Sequence, residues 1–341
     1  MSEEQLEVTA SSGLSVASYR SSLTIPEPLS EVRLPAPPSS LRRTAGRLVR
    51  QAYGLFKLAS APRETFRLIT ARPDTTLGKL VAQPGRKGAL ASQPFVCSKW
   101  SAALRLRRMI QHCTVVDELG HPFNINGDQY IEIIHFELDG ERCRLMLDRP
   151  KWLGCDGMLC ASLWSGYDRV FSVSFSLSDS GGERTTYIGG IQGHRSGDAL
   201  DQNRMLTKAA HGMRPRDLAF ELFRMLMPRM GVTQLKCVAD AYRYQMTRRA
   251  SMLISLNDKV QLDYNETWES RGGVLGDDGF YVVPANSRRD IAEISAKKRS
   301  MYKRRYAMLD KLQAEINLAL DKPCEIHTHA PMFVRPRVAA G

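Results

Sequence analysis

The chain has 341 residues, 48 Lys and Arg against 36 Asp and Glu, a formal net charge of +12 and a sequence pI near 9.5. That length allows one large domain or two ordinary ones, and the charge favours acidic partners such as nucleic acid, anionic lipid head groups or phosphorylated small molecules. No run approaches the roughly 18 apolar residues needed to cross a bilayer, and seven cysteines, an odd number set mostly in apolar runs, suit buried free thiols better than a disulfide frame.

The start, Met1-Ser2-Glu3-Glu4, is acidic and lacks the apolar core of a signal peptide, so a cytoplasmic protein is expected, with any membrane association peripheral to the inner membrane. Residues 1–40 are rich in Ser, Pro and Glu and read as a disordered tail. A basic helical region is expected over 41–115. Within it, Leu41, Leu48, Val49, Ala52, Leu55, Phe56 and Leu58 recur at near-helical spacing beside Arg42, Arg43, Arg47, Arg50 and Lys57. Such a helix either packs on the main domain with a solvated Arg face or lies on an anionic membrane surface. Residues 63–88 give mixed signals, with loops at Pro73, Pro84 and Gly85, and Lys99 to Cys113 reads as a second helix.

After Gly120-His121-Pro122 the period changes to two. Residues 130–136, 142–147, 158–164 and 169–177 read as successive strands joined by short turns, the pattern of an antiparallel meander. A further strand over 184–193 ends in Ile188-Gly189-Gly190-Ile191-Gln192-Gly193-His194. A polar connection leads to a helix over 214–230, closed by Gly231, and a strand over 234–239 follows. Strand, loop and helix N-terminus in that order can cradle an anion, because free N–H groups and the helix dipole point at the loop. An α+β domain is expected over 116–325, with helices packed on a mostly antiparallel central sheet. A long basic C-terminal helix over 287–320 and a tail over 326–341 complete the chain.

That helix interleaves Lys297, Lys298, Arg299, Arg304 and Arg305 with Tyr302 and Tyr306, a composition that grips phosphate-rich surfaces or ligands; nucleic acid ranks last because no base-reading fold signature is present. Asp263, Glu266, Glu269, Asp277 and Asp278 form an acidic cluster, read as partners of Arg248, Arg249 and Arg271 rather than metal ligands. Cys-x-x-Cys pairs, the Walker lysine, dinucleotide spacing and a serine hydrolase elbow are all missing from the sequence, so no metal site is assigned.

The segments Ile188-Gly189-Gly190-Ile191-Gln192-Gly193, Gly212-Met213-Arg214-Pro215-Arg216, Asp263-Tyr264-Asn265-Glu266-Thr267-Trp268, Asp278-Gly279-Phe280-Tyr281 and Lys297-Lys298-Arg299-Ser300-Met301-Tyr302 together resemble the bacterial VirK/YbjX proteins, from about Trp100 to Leu320. The resemblance implies a domain of unassigned activity connected with envelope stress, virulence and resistance to antimicrobial peptides, and it carries over no catalytic residues. The element order is also similar to GNAT-type acyltransferases, in which a splayed strand, loop and helix N-terminus bind an acyl-coenzyme A. Here the nearest loop, Lys208 to Arg214, lacks the second small residue of that pattern.

Two readings stay open. One is an acyl or aminoacyl transferase acting on an envelope component, with acyl-coenzyme A as cofactor. Its ligand contacts would be Gln192, Gly193, Gly212, Arg214 and Arg216, and Glu183, His194 or His211 would be the base. Arg214 and Arg216 stand out because cations in a first helical turn oppose the dipole. The other is a non-enzymatic, membrane-peripheral protein that binds an anionic lipid surface or a partner through its basic helices.

Overall fold

The structure is a computed structural model that describes residues 49, 52–127, 129–193, 199–244, 262–284 and 288–328. Contacts divide the chain into Met1–Thr44 and Ala45–Gly341, and every described residue lies in the second unit.

Residues 52–59 are helical and lead into α1 (Pro62–Ile69), α2 (Thr76–Val81), α3 (Arg86–Ser92) and α4 (Ala102–Leu119). Over 63–88, where the sequence gives mixed signals with loops at Pro73, Pro84 and Gly85, three short helices form because each has its own start signal. Pro62 opens α1, the Thr75 side chain accepts from the Gly78 N–H to cap α2, and Gly85 takes a left-handed φ of 76° to launch α3. Ser101 caps α4 by accepting from Leu104, and the helix runs past its predicted end at Cys113 to Gly120. Residues 41–48 of the predicted basic helix lie outside the described residues.

Among the described residues, nine strands form one sheet in the order β7-β8-β6-β5-β4-β3-β2-β1-β9. They are β1 (Gln129–Leu138), β2 (Glu141–Asp148), β3 (Leu159–Ser165), β4 (Asp168–Ser180), β5 (Glu183–Gly193), β6 (Val232–Val238), β7 (Val274–Leu275), β8 (Phe280–Val283) and β9 (Ile326–Thr328). The meander β1–β5 is antiparallel as its short turns require, and β5–β6 is the parallel pair. The crossover between them carries α5 (Ala199–Ala209) and α6 (Pro215–Met230). The sequence reads α5 as a polar connection, because Leu206 is its one buried side chain and the apolar period is too faint to see. Gly231 closes α6 at φ 64°, as its position predicts.

Three further corrections concern the C-terminal third. The stretch after Asp263, to which the sequence assigns no element, holds α7 (Tyr264–Glu269) and the two short strands β7 and β8. The last helix, α8 (Ala296–Leu320), starts later than Ser287. Residues 326–328, expected in a tail, pair as edge strand β9 with Gln129 to Ile131 of β1.

Helices cover both faces of the sheet. Phe175 on β4 meets Phe223 of α6 with ring centroids 4.9 Å apart, while Ser178, three residues on and therefore on the opposite face, accepts from Arg108 of α4 at 3.1 Å. The α6 stripe of Leu218, Leu222, Met225, Leu226 and Met230 is buried, and α8 adds Leu309, Leu312, Ile316 and Leu320 to the core. All seven cysteines are free thiols and five of them are buried. Burial pushes the Cys113 and Cys143 thiols up to about 12 and Cys155 to about 11, so these three stay protonated and packed rather than reactive.

Candidate functional site

β5 and β6 are paired only over part of their length. Arg184 to Ile188 match Val232 to Cys237, after which β5 runs on through Gly189–Gly193 alongside β4 alone. The parallel pair therefore opens into a fork at its C-terminal end, the end from which a crossover helix starts.

The short helix α7 fills the fork. Asp263 caps it by accepting from Glu266, and Asp240 accepts from the N–H groups of Tyr264 (2.6 Å) and Asn265 (3.4 Å). Tyr264 then reaches one prong: the Ile191 N–H donates to its hydroxyl at 2.8 Å and the hydroxyl donates to the Ile191 carbonyl at 3.1 Å. Trp268 reaches the other, its indole N–H donating to the Val238 carbonyl at 2.9 Å. The two rings meet edge to face, centroids 5.6 Å apart. Two side chains thus satisfy strand-edge groups that a continuous ladder would have paired.

α7 also ties the fork to the start of α6. Arg216 donates to Thr267 of α7 at 3.3 Å and to Asp217 at 3.3 Å, and Arg271 pairs with Asp217. No side chain caps α6 at Arg214, which is exposed.

On the opposite face, the turn 153–157 sits directly on β5. A Cβ at Gly189 would lie 2.1 Å from the Asp156 carbonyl oxygen, and one at Gly190 would lie 2.8 Å from its carboxylate. The Gly189-Gly190 pair that anchors the sequence reading is therefore a packing device for a close backbone approach. Asp156 is fully buried and accepts from the Gln192 amide at 3.0 Å. Beside it lie Tyr244 and Arg243, whose guanidinium stacks 3.9 Å from the Tyr264 ring centroid and bonds Asp240 at 3.3 Å. Burial pushes the hydroxyls of Tyr244 and Tyr264 up, and the negative charge of Asp156 adds to it in both. Both phenols therefore remain protonated at neutral pH and are weaker acids than an exposed tyrosine.

The predicted site residues divide among several places. Gln192 and Gly193 end β5, and a Cβ at Gly193 would meet the Phe171 ring at 2.9 Å. Gln192 faces Asp156, on the face away from α6, so it and Arg216 approach the fork from opposite sides of the sheet. Glu183 is exposed at the far, N-terminal end of β5 and is remote from the fork. His194 lies outside the described residues. His211, at φ 52°, and Gly212, at φ 75°, turn against α8 instead, where the His211 carbonyl accepts from Arg305 at 2.9 Å. His211 borders a groove of about 680 Å³ between β1 and α8, lined also by His135, Glu137, Arg304 and Lys311.

On α8, Lys297 and Lys298 are exposed, whereas Arg299 donates to the carbonyls of Ile294 and Ala292 and Arg305 is half-buried over the Tyr302 ring. Of the partners expected for the acidic cluster, Arg271 alone lies among the described residues, and it pairs elsewhere. Asp263 caps α7, Glu269 accepts from Tyr281 at 2.8 Å, Asp278 holds Lys236 at 2.6 Å, and Arg271 goes to Asp217; Arg248 and Arg249 are outside the described residues. Among the described residues no group of three or more His, Cys, Asp or Glu is placed to hold a metal ion. None of the described helices is long and apolar enough to cross a membrane.

Tyr264, Tyr244, Arg243 and Asp156 escape the sequence reading. Asp263-Tyr264-Asn265-Glu266-Thr267-Trp268 is quoted there as a family motif and Asp263 and Glu266 as acids, but the aromatic spacing of four, Tyr264 to Trp268, is what carries the contact across the fork.

Residues 51–318 match the family model described as "Protein of unknown function (DUF535)". Over 146 residues the chain is 36% identical to the uncharacterized protein YbjX of Escherichia coli (strain K12), covering 42% of this chain and 43% of that protein. It is 30% identical over 149 residues to an uncharacterized protein of Haemophilus influenzae, covering 44% and 48% respectively. The aligned region is thus less than half the length of either relative. No solved structure matches. The family match begins at residue 51, well before the Trp100 expected from the motifs, so the helices preceding α4 are part of the shared region, and the chain belongs to the DUF535 (VirK/YbjX) family.

Proposed function

We propose that this protein is an acyl or aminoacyl transferase acting on a component of the bacterial envelope or its precursor, with the fork between β5 and β6 as the place where the acyl carrier is held. The observation that carries this reading is the parting of the parallel pair after Ile188, with α6 starting at the same end. The strand order β5-β6-β8-β7 beside an antiparallel meander supports a GNAT-type reading of the fork. An acyl carrier such as coenzyme A has an amide-bearing arm suited to a strand edge and a pyrophosphate suited to the uncapped start of α6 and to Arg214.

The thiolate that leaves a thioester takes up a proton once expelled, and the hydroxyl of Tyr264, which stands on the Ile191 edge, is a protonated group within the fork. Tyr264 holds the Ile191 edge in the structure described here. Carrier binding therefore has the hydroxyl yield that edge to the arm and become free to donate its proton. The base that deprotonates the acceptor is assigned to none of the described residues.

Calorimetric titration and thermal shift with acetyl-coenzyme A and a long-chain acyl-coenzyme A test this. Binding that weakens several-fold in Arg214→Ala is expected. No binding at millimolar ligand would overturn the reading.

A further inference from the structure

The outward side of the first helices is apolar. Leu55, Phe56, Phe66 and Ile69 are 66%, 65%, 67% and 64% exposed. In an ordinary surface helix such side chains turn inward, and here the packing is reversed. Gly54 is the buried residue of the 52–59 helix, set so close to α3 that a Cβ on it would lie 2.8 Å from the Gly88 carbonyl oxygen. Leu58 is half-buried, and Leu68 and Glu64 are the buried positions of α1. Gly54 thus gives contact with α3 without using the larger apolar residues, which are left in solvent.

The charges around them have one sign. Residues 52–72 contain Lys57, Arg63, Arg67 and Arg72 and a single acid, Glu64. That acid is turned inward, where Arg107 of α4 holds it at 2.9 Å. Arg63 and Arg67 are exposed, and Lys57 lies over the rings of Tyr53 and Phe56 at 5.2 and 5.7 Å from their centroids. Its ammonium group thus sits over the exposed aromatic surface, a cation set among apolar side chains.

We infer that the exposed sides of the 52–59 helix and α1 form a docking surface for an anionic phospholipid bilayer, with Leu55, Phe56, Phe66 and Ile69 inserting at the head-group boundary and Lys57, Arg63 and Arg67 meeting lipid phosphates. Separate protruding apolar side chains ringed by cations, with the one acid withdrawn, match an interfacial membrane helix pair, and cations near an anionic leaflet strengthen it. This inference is independent of the proposed acyl transfer, and it places lipid contact on the N-terminal helices rather than on α8.

The test is co-sedimentation of the full chain with vesicles of phosphatidylglycerol and phosphatidylethanolamine, against vesicles of phosphatidylcholine alone. The expected result is binding to the anionic vesicles that falls with salt. It weakens at least tenfold in Phe56→Ser/Phe66→Ser and in Arg63→Glu/Arg67→Glu, at unchanged melting temperature, and stays within twofold in Lys297→Ala/Lys298→Ala. The inference is overturned if anionic vesicles are not bound, if the Phe and Arg variants bind as well as the parent, or if only the Lys297/Lys298 variant loses binding. A self-associated chain that the Phe variant makes monomeric, without vesicle binding, would assign the face to a second copy instead.

Discussion

The hydroxyl of Tyr264 accepts from the Ile191 N–H at 2.8 Å and donates to the Ile191 carbonyl at 3.1 Å, so one phenol stands where the next strand of the sheet would be. Replacing Tyr264 by Phe keeps the ring against Arg243 and Trp268 but leaves two buried strand groups unpaired. A loss of about 1–3 kcal/mol is expected in urea denaturation. A loss below about 0.5 kcal/mol would mean that the fork is held by packing alone.

The seat of Asp156 on β5 leaves no room at Gly189, where an added methyl would lie 2.1 Å from the Asp156 carbonyl oxygen. Gly189→Ala should cost about 3 kcal/mol or more, since backbone must move on both sides. Gly127, with nothing within 4 Å of an added Cβ, is the control, and its Ala variant should stay within about 0.5 kcal/mol of the parent. Equal melting temperatures for the two variants would contradict the close approach.

A buried ion pair lies under the same turn. Arg169 pairs with Asp148, donates to Ser162 at 2.5 Å and Ser172 at 3.0 Å, and is stacked between Trp152 and Trp164. Asp148→Ala leaves a buried guanidinium without its counter-charge and should cost about 3–5 kcal/mol. The double variant Asp148→Ala/Arg169→Met should recover part of that loss, and purely additive losses in a double-mutant cycle would argue against coupling.

Acid sensitivity should come from His112. Its Nδ1 accepts from the Leu177 N–H at 3.1 Å, which puts the neutral ring's proton on Nε2, and burial, helped by the Arg149 charge, lowers its pKa to about 3 from an ordinary 6.5. Because the folded-state value is depressed, the unfolded chain takes up a proton that the folded chain refuses. The stability this group contributes is complete above about 6.5 and is lost as pH falls toward about 3. The slope is about 1.4 kcal/mol per pH unit within that window. His112→Asn, whose amide oxygen can accept the same N–H, should flatten the pH dependence between about 6 and 4; an unchanged slope in the variant would exclude His112 as the cause.

The parts of the fold legible in the sequence are those where a period repeats. Strands β1–β5 alternate or run apolar for seven residues or more between clear turns, and α6 and α8 have long stripes, so all were placed to within a few residues apart from the start of α8. The elements not placed are short or amphipathic only weakly: α1–α3, α5, α7, β7, β8 and β9. Their positions are set by caps and by pairing with distant strands, as when residues 326–328 add to β1.

The site was legible in part for a different reason. The sequence marks the end of β5 and the start of α6, but it cannot show that Gln192 and Arg216 approach from opposite faces, or that Asp263 to Glu269 returns from a distant part of the chain to lie between the prongs. Long-range contacts such as Tyr264 to Ile191 leave no periodic trace.

An acyl carrier held in this fork is tested most directly by amide hydrogen exchange across residues 188–193 and 263–269. Without ligand, the Ile191 amide should exchange slowly in the parent and faster in Tyr264→Phe. Adding a long-chain acyl-coenzyme A should slow exchange across Gly189 to Gly193 and hasten it in α7 as Tyr264 yields its place. Unchanged exchange in both segments at saturating ligand, or protection confined to the groove between β1 and α8, would contradict the account.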